Sequence, residues 1–389
     1  MVFSNRMNGL SSAIFSTLEN KRNELVSQGR EVFNFSVGTP DIPPAPHIIH
    51  ALQEAAGFAE NYKYALKDIP ELVEAVTGWY SKRFGVCLER EEIVSLMGSQ
   101  DGLSHISLTL ADPGDTVMVQ DPCYPIFSVG PALACANLYK MPLLKENNFL
   151  IDFDAIEPSA AHAAKLMIVS YPNNPVTATA PMEFYEKLVW FAKKYDIVVL
   201  HDNAYSELVY DGKRGESFLS IPGAKDIGVE FNSLSKSYNM TGCRISFALG
   251  NRNVIEQLRT LKSHLDYGVF LPVQRAAIAA LTGPQNCLQE TVDTYQKRRD
   301  FIVEGFNKIG WHMEKPPATM FIWAPIPPKY DSSEKFTIDL LEQTGVIVVP
   351  GSSFGERGEG FVRLAMVQPE DKIMKAIERV KESGIVNAG

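Results

Sequence analysis

The sequence predicts an α/β protein with a mainly parallel sheet and a second, smaller domain. Through the middle of the chain, short apolar, β-branched runs alternate with longer helical patterns, as βαβ units require. Near Asn286 that alternation stops and the architecture changes. The length of 389 residues is too great for one small core and suits two domains, interleaved or in series.

Taken in order, the predicted strands are Thr116 to Gln120, Lys165 to Ser170, Ile197 to His201, Gly228 to Asn232 and Ile245 to Leu249. Between the second and third, Pro181 to Tyr195 sets Phe184, Leu188 and Phe191 at helical spacing, giving one apolar stripe to lay on a sheet. Beyond Leu281 a charged pattern from Gln289 to Gly310 predicts a long helix. The Pro-rich FIWAPIPPKY and the short runs VIVVP and FVRLAMV follow it.

Composition narrows the function classes. Apolar residues make up 45% of the chain and charged ones 21%, ordinary values for a folded globular protein. With 37 Lys and Arg against 46 Asp and Glu, the net charge of -9 repels a phosphate backbone, so nucleic acid is not an expected partner. The cysteines Cys87, Cys123, Cys135, Cys243 and Cys287 are odd in number and scattered, with no CxxC spacing; a reducing cytoplasm and no structural zinc are expected. The N-terminal MVFSNRMNGLSSAIF lacks the pattern of a secretory leader, and no apolar run is long enough to cross a bilayer, so no membrane association is expected.

In open parallel sheets ligands sit beyond the carboxyl ends of the strands. Here those ends run into DPCYP (Asp121 to Pro125), YPNNP (Tyr171 to Pro175), HDNAY (His201 to Tyr205) and SLSKSYNMTGCR (Ser233 to Arg244). These groups match what a phosphorylated pyridine aldehyde needs. Lys236 offers an amine for the aldehyde, and cationic, desolvating surroundings would lower its pKa enough for it to act as a base. Asp202, at the end of an apolar strand, needs a buried cation such as a protonated ring nitrogen. Tyr205 and Asn174 can donate to the ring oxygen, Tyr124 can stack on the ring, and Arg244, Ser233 and Ser235 suit a phosphate. Upstream, Gly98, Ser99 and Gln100 fall at a strand-to-helix turn whose free N–H groups favour an anion.

Each residue also has a structural explanation. An isolated SxSK is usually a solvated turn, Asp202 could cap a helix, and Tyr124 and Tyr205 could be core aromatics. What those explanations leave open is why an amine, a carboxylate, two phenols, an amide and an arginine all fall at strand ends. His201 should face away from Asp202 by strand alternation, as a packed histidine.

The stretch Ser233-Leu-Ser-Lys236 followed by Thr241-Gly-Cys-Arg244 resembles the Schiff-base motif of class I/II aminotransferases, pyridoxal 5'-phosphate (PLP) enzymes of fold type I. The resemblance extends from VGTPD (Val37 to Asp41) through YPNNP and HDNAY to PGSSFGERGEGFVRLAMV (Pro350 to Val367). It implies a large domain with a mainly parallel seven-stranded sheet flanked by helices, plus a smaller α/β domain built from both chain ends. The corresponding ranges are 1–47 for the N-terminal arm and part of the small domain, 48–286 for the large PLP-binding domain and 287–389 for the small C-terminal domain. It also implies that Lys236 holds PLP, that Gly38 lies near the substrate carboxylate and that Arg363 binds it through its planar fork. A homodimer with shared active sites is implied too, Tyr64 reaching the neighbouring subunit's cofactor phosphate, with Tyr62 as the alternative. Arg363 and a surface acid could instead form an ordinary ion pair.

The run from YPNNP to LVYDG is similar to that of LL-diaminopimelate aminotransferases and of alanine- and aspartate-type members. The expected activity therefore moves an amino group from an L-amino acid, LL-diaminopimelate first, to 2-oxoglutarate or pyruvate. A PLP-dependent β-eliminating C–S lyase is the alternative within the fold, and a PLP-sensing regulator would need a DNA-binding module for which the chain has no length. Cys243 replaces a usual tryptophan, Val176-Thr177 a usual Thr-Gly, and Ala13-Ile-Phe15 a usual Tyr-Leu-Phe.

Overall fold

The computed structural model describes residues 4–7 and 13–387. Strand β1 (Phe33–Asn34) comes first. It is followed by β2 (Ile93–Leu96), β3 (Thr116–Asp121), β4 (Asn137–Pro142), β5 (Ala164–Ser170), β6 (Val198–Asp202), β7 (Gly228–Ser233) and β8 (Ser246–Gly250). Strands β2 to β8 form a seven-stranded sheet in the order β2-β8-β7-β6-β5-β3-β4. Pairing is parallel from β7 through β6, β5 and β3 to β4, while β8 runs against both β7 and β2. Buried on both faces, the central strands β5 and β7 carry near-continuous buried runs, the sequence signature of covered parallel strands.

The Met182–Tyr195 helix buries Phe184, Leu188 and Phe191 as the spacing predicts, and ends where Asp196 turns left-handed at φ 57°. The Asn286–Lys308 helix starts three residues before the predicted Gln289. Strands β9 (Phe321–Pro325), β10 (Val346–Ile347), β11 (Val349–Pro350) and β12 (Phe361–Ala365) follow it. They build two small sheets, β1 with β10 in parallel and β11-β12-β9 antiparallel. Phe33 and Phe35 from the N-terminal side share one core with Ile302, Phe306, Val346, Leu364 and Ile373, so the smaller unit draws on both chain ends.

The two units meet at the site. The Cys123 N–H, just past β3, donates to Phe354 O at 2.8 Å, and the Asp121 carboxylate accepts from Arg357 N at 3.2 Å. Among the described residues no helix is long and apolar enough to cross a membrane.

Candidate active site

Beyond the carboxyl end of β7, Ser233 Oγ accepts from Ser235 N at 3.1 Å and caps the single turn Leu234–Ser237 that carries Lys236. Lys236 Nζ donates to Gly38 O at 2.7 Å. A side chain at Gly38 would place its Cβ 2.6 Å from the Phe321 ring, so this close approach of backbone and amine needs glycine. Burial first, then the Arg363 and Arg244 charges, lower the Lys236 amine to about 8, within reach of a base working near neutrality.

From β12, Arg363 extends toward the same amine. Its Nη1 donates to Asn174 Oδ1 at 2.8 Å and its Nη2 to Ser36 O at 3.1 Å, while Phe321 and Phe354 flank the guanidinium at 4.2 and 4.7 Å. Burial lowers Arg363 to about 10, still cationic at neutral pH, and its Nε is buried without a partner among the described residues. The bond to Arg363 occupies the Asn174 carbonyl and leaves the amide NH2 to donate elsewhere.

Asp202 ends β6. Its carboxylate takes one backbone bond, from Ala204 N at 3.2 Å, and no side-chain cation pairs with it among the described residues. Burial pushes it up to about 6, with His201 opposing that rise. Burial also raises the phenols of Tyr205 and Tyr124, which keeps both as neutral donors. The Tyr205 ring meets Phe321 edge-on at 5.8 Å, and Tyr124 meets Phe127 at 6.3 Å.

An anion cradle lies near Arg244. Gly98 has φ 85°, and a Cβ there would run into the Arg244 guanidinium, so the backbone and the cation sit against each other with no side chain between. Ser99 opens the Ser99–His105 helix with its Oγ buried and without a partner among the described residues, and Gln100 follows it, exposed. Exposed Arg244 donates through Nη1 to Thr241 O at 3.1 Å, which leaves the rest of its fork open, and Ser235 is buried nearby in sequence. A buried carboxylate lacking a cation, an amine of lowered pKa and an orphaned hydroxyl at a helix start fit a phosphorylated pyridine aldehyde.

Tyr64 stands apart from these groups, 81% exposed with its ring 5.3 Å from that of Tyr267. Tyr62 spends its hydroxyl on Ala56 O at 2.9 Å and its ring edge on Phe270. Sequence reasoning missed Phe321, Phe354 and the Ser36 carbonyl, which fix the Arg363 fork. Their sole sequence signal is membership of the FIWAP and PGSSF segments for the two aromatics and a place directly before VGTPD for Ser36. It also missed Gln120, whose Oε1 accepts from Ser170 N at 3.0 Å and Asn173 Nδ2 at 3.2 Å and so shapes the turn that presents Asn174.

Comparison with known proteins shows the family. A family model described as aminotransferase class I and II matches residues 30–380. The LL-diaminopimelate aminotransferase of Moorella thermoacetica is 46% identical over 378 residues, 97% of each chain. That of Syntrophobacter fumaroxidans is 42% identical over 379 residues, again 97% of each. Among solved structures, substrate-bound BacF from Bacillus subtilis has a TM-score of 0.94 at 36% identity, covering 98% of both chains. An aspartate aminotransferase mutant from Thermus thermophilus has a TM-score of 0.91 at 28% identity, covering 98% of this chain and 100% of that one. The chain therefore belongs to the class I and II aminotransferases, PLP-dependent enzymes of fold type I.

Proposed function

We propose that this aminotransferase takes its amino group from LL-diaminopimelate in preference to alanine, aspartate or aromatic amino acids, and passes it to 2-oxoglutarate or pyruvate. The donor rests on the relatives at 46% and 42% identity that carry that activity in their names. For the chemistry, one observation carries the reading: the Lys236 amine, lowered to about 8, lies on Gly38 O in the field of the buried Arg363 fork.

In this reading PLP, held at Lys236, would supply an electron sink for the bonds at the substrate Cα. The chain's residues do the rest. Arg363 grips the α-carboxylate by its fork, with Asn174 and the Gly38 backbone fixing the approach. Lys236 Nζ, with its lowered pKa, would be the base that moves the proton at the substrate Cα. Asp202 holds the protonated ring nitrogen, Tyr205 and the Asn174 amide donate to the ring oxygen, and Tyr124 covers the ring face. Ser99, Gln100, Ser233, Ser235 and Arg244 receive the phosphate, joined by Tyr64 of a second copy of the chain. A homodimer is supported by the exposed aromatic strip of Tyr62, Tyr64, Tyr267 and Phe270, and a cytoplasmic location by five free cysteines. The domain divisions in this reading are 1–47 for the N-terminal arm and part of the small domain, 48–286 for the large PLP-binding domain and 287–389 for the small C-terminal domain.

A donor screen tests the function. With PLP-loaded protein, LL-diaminopimelate should bleach the visible absorbance fastest, and 2-oxoglutarate or pyruvate should restore it. Bleaching by alanine or aspartate but not LL-diaminopimelate would overturn the donor. Ammonia and pyruvate released from a thioether amino acid, without reversible bleaching by any donor, would establish a lyase instead.

A further inference from the structure

One fully buried polar cluster takes no part in the site just described. Glu230 on β7 is 0% exposed and its carboxylate accepts four bonds. Oε1 takes Tyr80 OH at 2.8 Å and Ser217 Oγ at 2.9 Å, and Oε2 takes Phe218 N at 2.9 Å and His201 Nδ1 at 3.0 Å. An ionised carboxylate only accepts, so Nδ1 is the protonated nitrogen of His201. The other ring nitrogen, Nε2, lies 3.4 Å from Tyr185 OH, which also lies 3.4 Å from Tyr171 O. The Tyr185 hydroxyl can donate to Tyr171 O while accepting from Nε2–H, or donate to a bare Nε2. Tyr80 arrives from the Pro70–Phe84 helix and Tyr185 from Met182–Tyr195, with the carboxylates of Glu207 and Glu216 acting on them from further off.

The position of this cluster is what gives it consequence. His201 and Glu230 are register partners on β6 and β7, and each lies just upstream of a site segment. Residue 202 follows the first directly, and the Ser233–Lys236 turn begins three residues after the second. A buried charged pair stabilises no better than well-packed apolar side chains of similar volume, so it is poorly explained as a stabilising device alone.

We infer that the His201–Glu230 pair is a positioning device for Asp202, Glu230 locking the imidazole behind the end of β6 so that its field favours the ionised carboxylate facing the cofactor's ring nitrogen. Strand alternation sends His201 to the face opposite Asp202, so it acts through the strand and through its field, without touching the cofactor. His201 is the largest of the influences that oppose the burial of Asp202, while the Glu230 charge is the last and acts the other way, so Glu230 serves by holding the imidazole in place and not by its own field. The inference rests on the assignment of Asp202 to the ring nitrogen, and the test keeps the two separable.

The probes are PLP and its 1-deaza analogue, in which CH replaces the ring nitrogen, so that covalent attachment and phosphate contacts are common to both. Dissociation constants of both are measured for wild type, Glu230→Gln, His201→Gln, Asp202→Asn and the doubles with Asp202→Asn, each checked for folding by thermal melting of the apoprotein. The expected preference of wild type for PLP is on the order of tenfold or more, a coupling of about 1.4 kcal/mol or above. Asp202→Asn should erase it, and either single variant of the pair should reduce it at least about threefold. Adding the pair's substitution to Asp202→Asn should change the preference no further, the non-additivity of groups acting through one another. A preference retained in both Glu230→Gln and His201→Gln, even if both ligands bind more weakly, would show a packing role and overturn the inference while leaving Asp202 in place. A preference untouched by Asp202→Asn would overturn the ring-nitrogen assignment and the inference with it. Should Glu230→Gln fail to fold, His201→Gln alone decides by the same ratio.

Discussion

Burial acts on Lys236 and Asp202 in opposite directions, lowering the amine to about 8 from 10.5 and raising the carboxyl to about 6 from 3.8. Without cofactor, each is therefore charged at pH 7 in surroundings that favour its neutral form. For Lys236 the unfolded chain binds more protons between pH 8 and 10.5, so its destabilising effect is full below 8 and disappears as pH rises through that window. Lys236→Met should raise apoprotein stability at pH 7 by up to about 3 kcal/mol, at about 1.4 kcal/mol per pKa unit, and lose the advantage above pH 10.5. For Asp202 the folded chain binds more protons between 3.8 and 6, so its cost is full above 6 and disappears as pH falls. Asp202→Asn should likewise stabilise the apoprotein at pH 7 and lose its advantage below pH 3.8. Denaturant titrations across pH check both; no gain at pH 7 from either would refute the account of buried, uncompensated charge. At this scale Lys236, Asp202, Tyr205 and Asn174 stand out in the sequence because each polar group follows an apolar strand, and Arg244 because it follows the Lys236 turn. Phe321 and Phe354 do not, since an aromatic that brackets an arginine reads in sequence like any core aromatic.

Secondary-structure elements were legible to the extent that burial leaves a pattern. The five predicted strands all appear with ends shifted by at most one residue, because sheet interiors select β-branched and apolar runs. The antiparallel course of β8 was hidden, since a continuous apolar run carries no direction. Strand β4 escaped notice because it pairs on one side only and stays largely exposed, with Asn137, Leu138 and Lys140 facing solvent. The turn from β2 into Ser99–His105 forms one side of the anion cradle. Gly98 holds φ 85° against the Arg244 guanidinium, so Gly98→Ala would strain the backbone by about 1–3 kcal/mol and push the arginine out of the cradle. The expected result is PLP affinity weakened by about tenfold or more, the loss of one charge-assisted contact, with apoprotein melting lowered only modestly. Unchanged affinity in a folded Gly98→Ala protein would remove this turn from the phosphate site.

The whole molecule presents an aromatic strip that no described part of its own chain covers. Tyr64 is 81% exposed, Leu66 69% and Tyr62 64%, and these residues lie beside Tyr267 and Phe270. An exposed strip of this kind marks a contact surface. Within one chain Tyr62 has bound its hydroxyl to Ala56 O, which leaves Tyr64 the better candidate to reach a neighbour's phosphate. Tyr64 and Lys236 would then complete each site from opposite chains, as two-fold symmetry requires. Tyr64→Ala and Lys236→Ala homodimers should each be inactive or nearly so, the first through weakened cofactor hold and the second through loss of the anchoring amine. Mixed and allowed to exchange, half of the dimers become heterodimers, each with one site carrying both native groups. Activity should therefore rise to roughly a quarter of the wild-type value per chain. Residues acting within one chain would give no recovery, because every site in the mixture would keep one lesion. Native mass spectrometry of the mixture, with one variant isotopically labelled, establishes that exchange has occurred. Exchange without recovery would place Tyr64 outside the shared site, and full activity at dilutions where the protein sediments as a monomer would dismiss the dimer as a catalytic requirement.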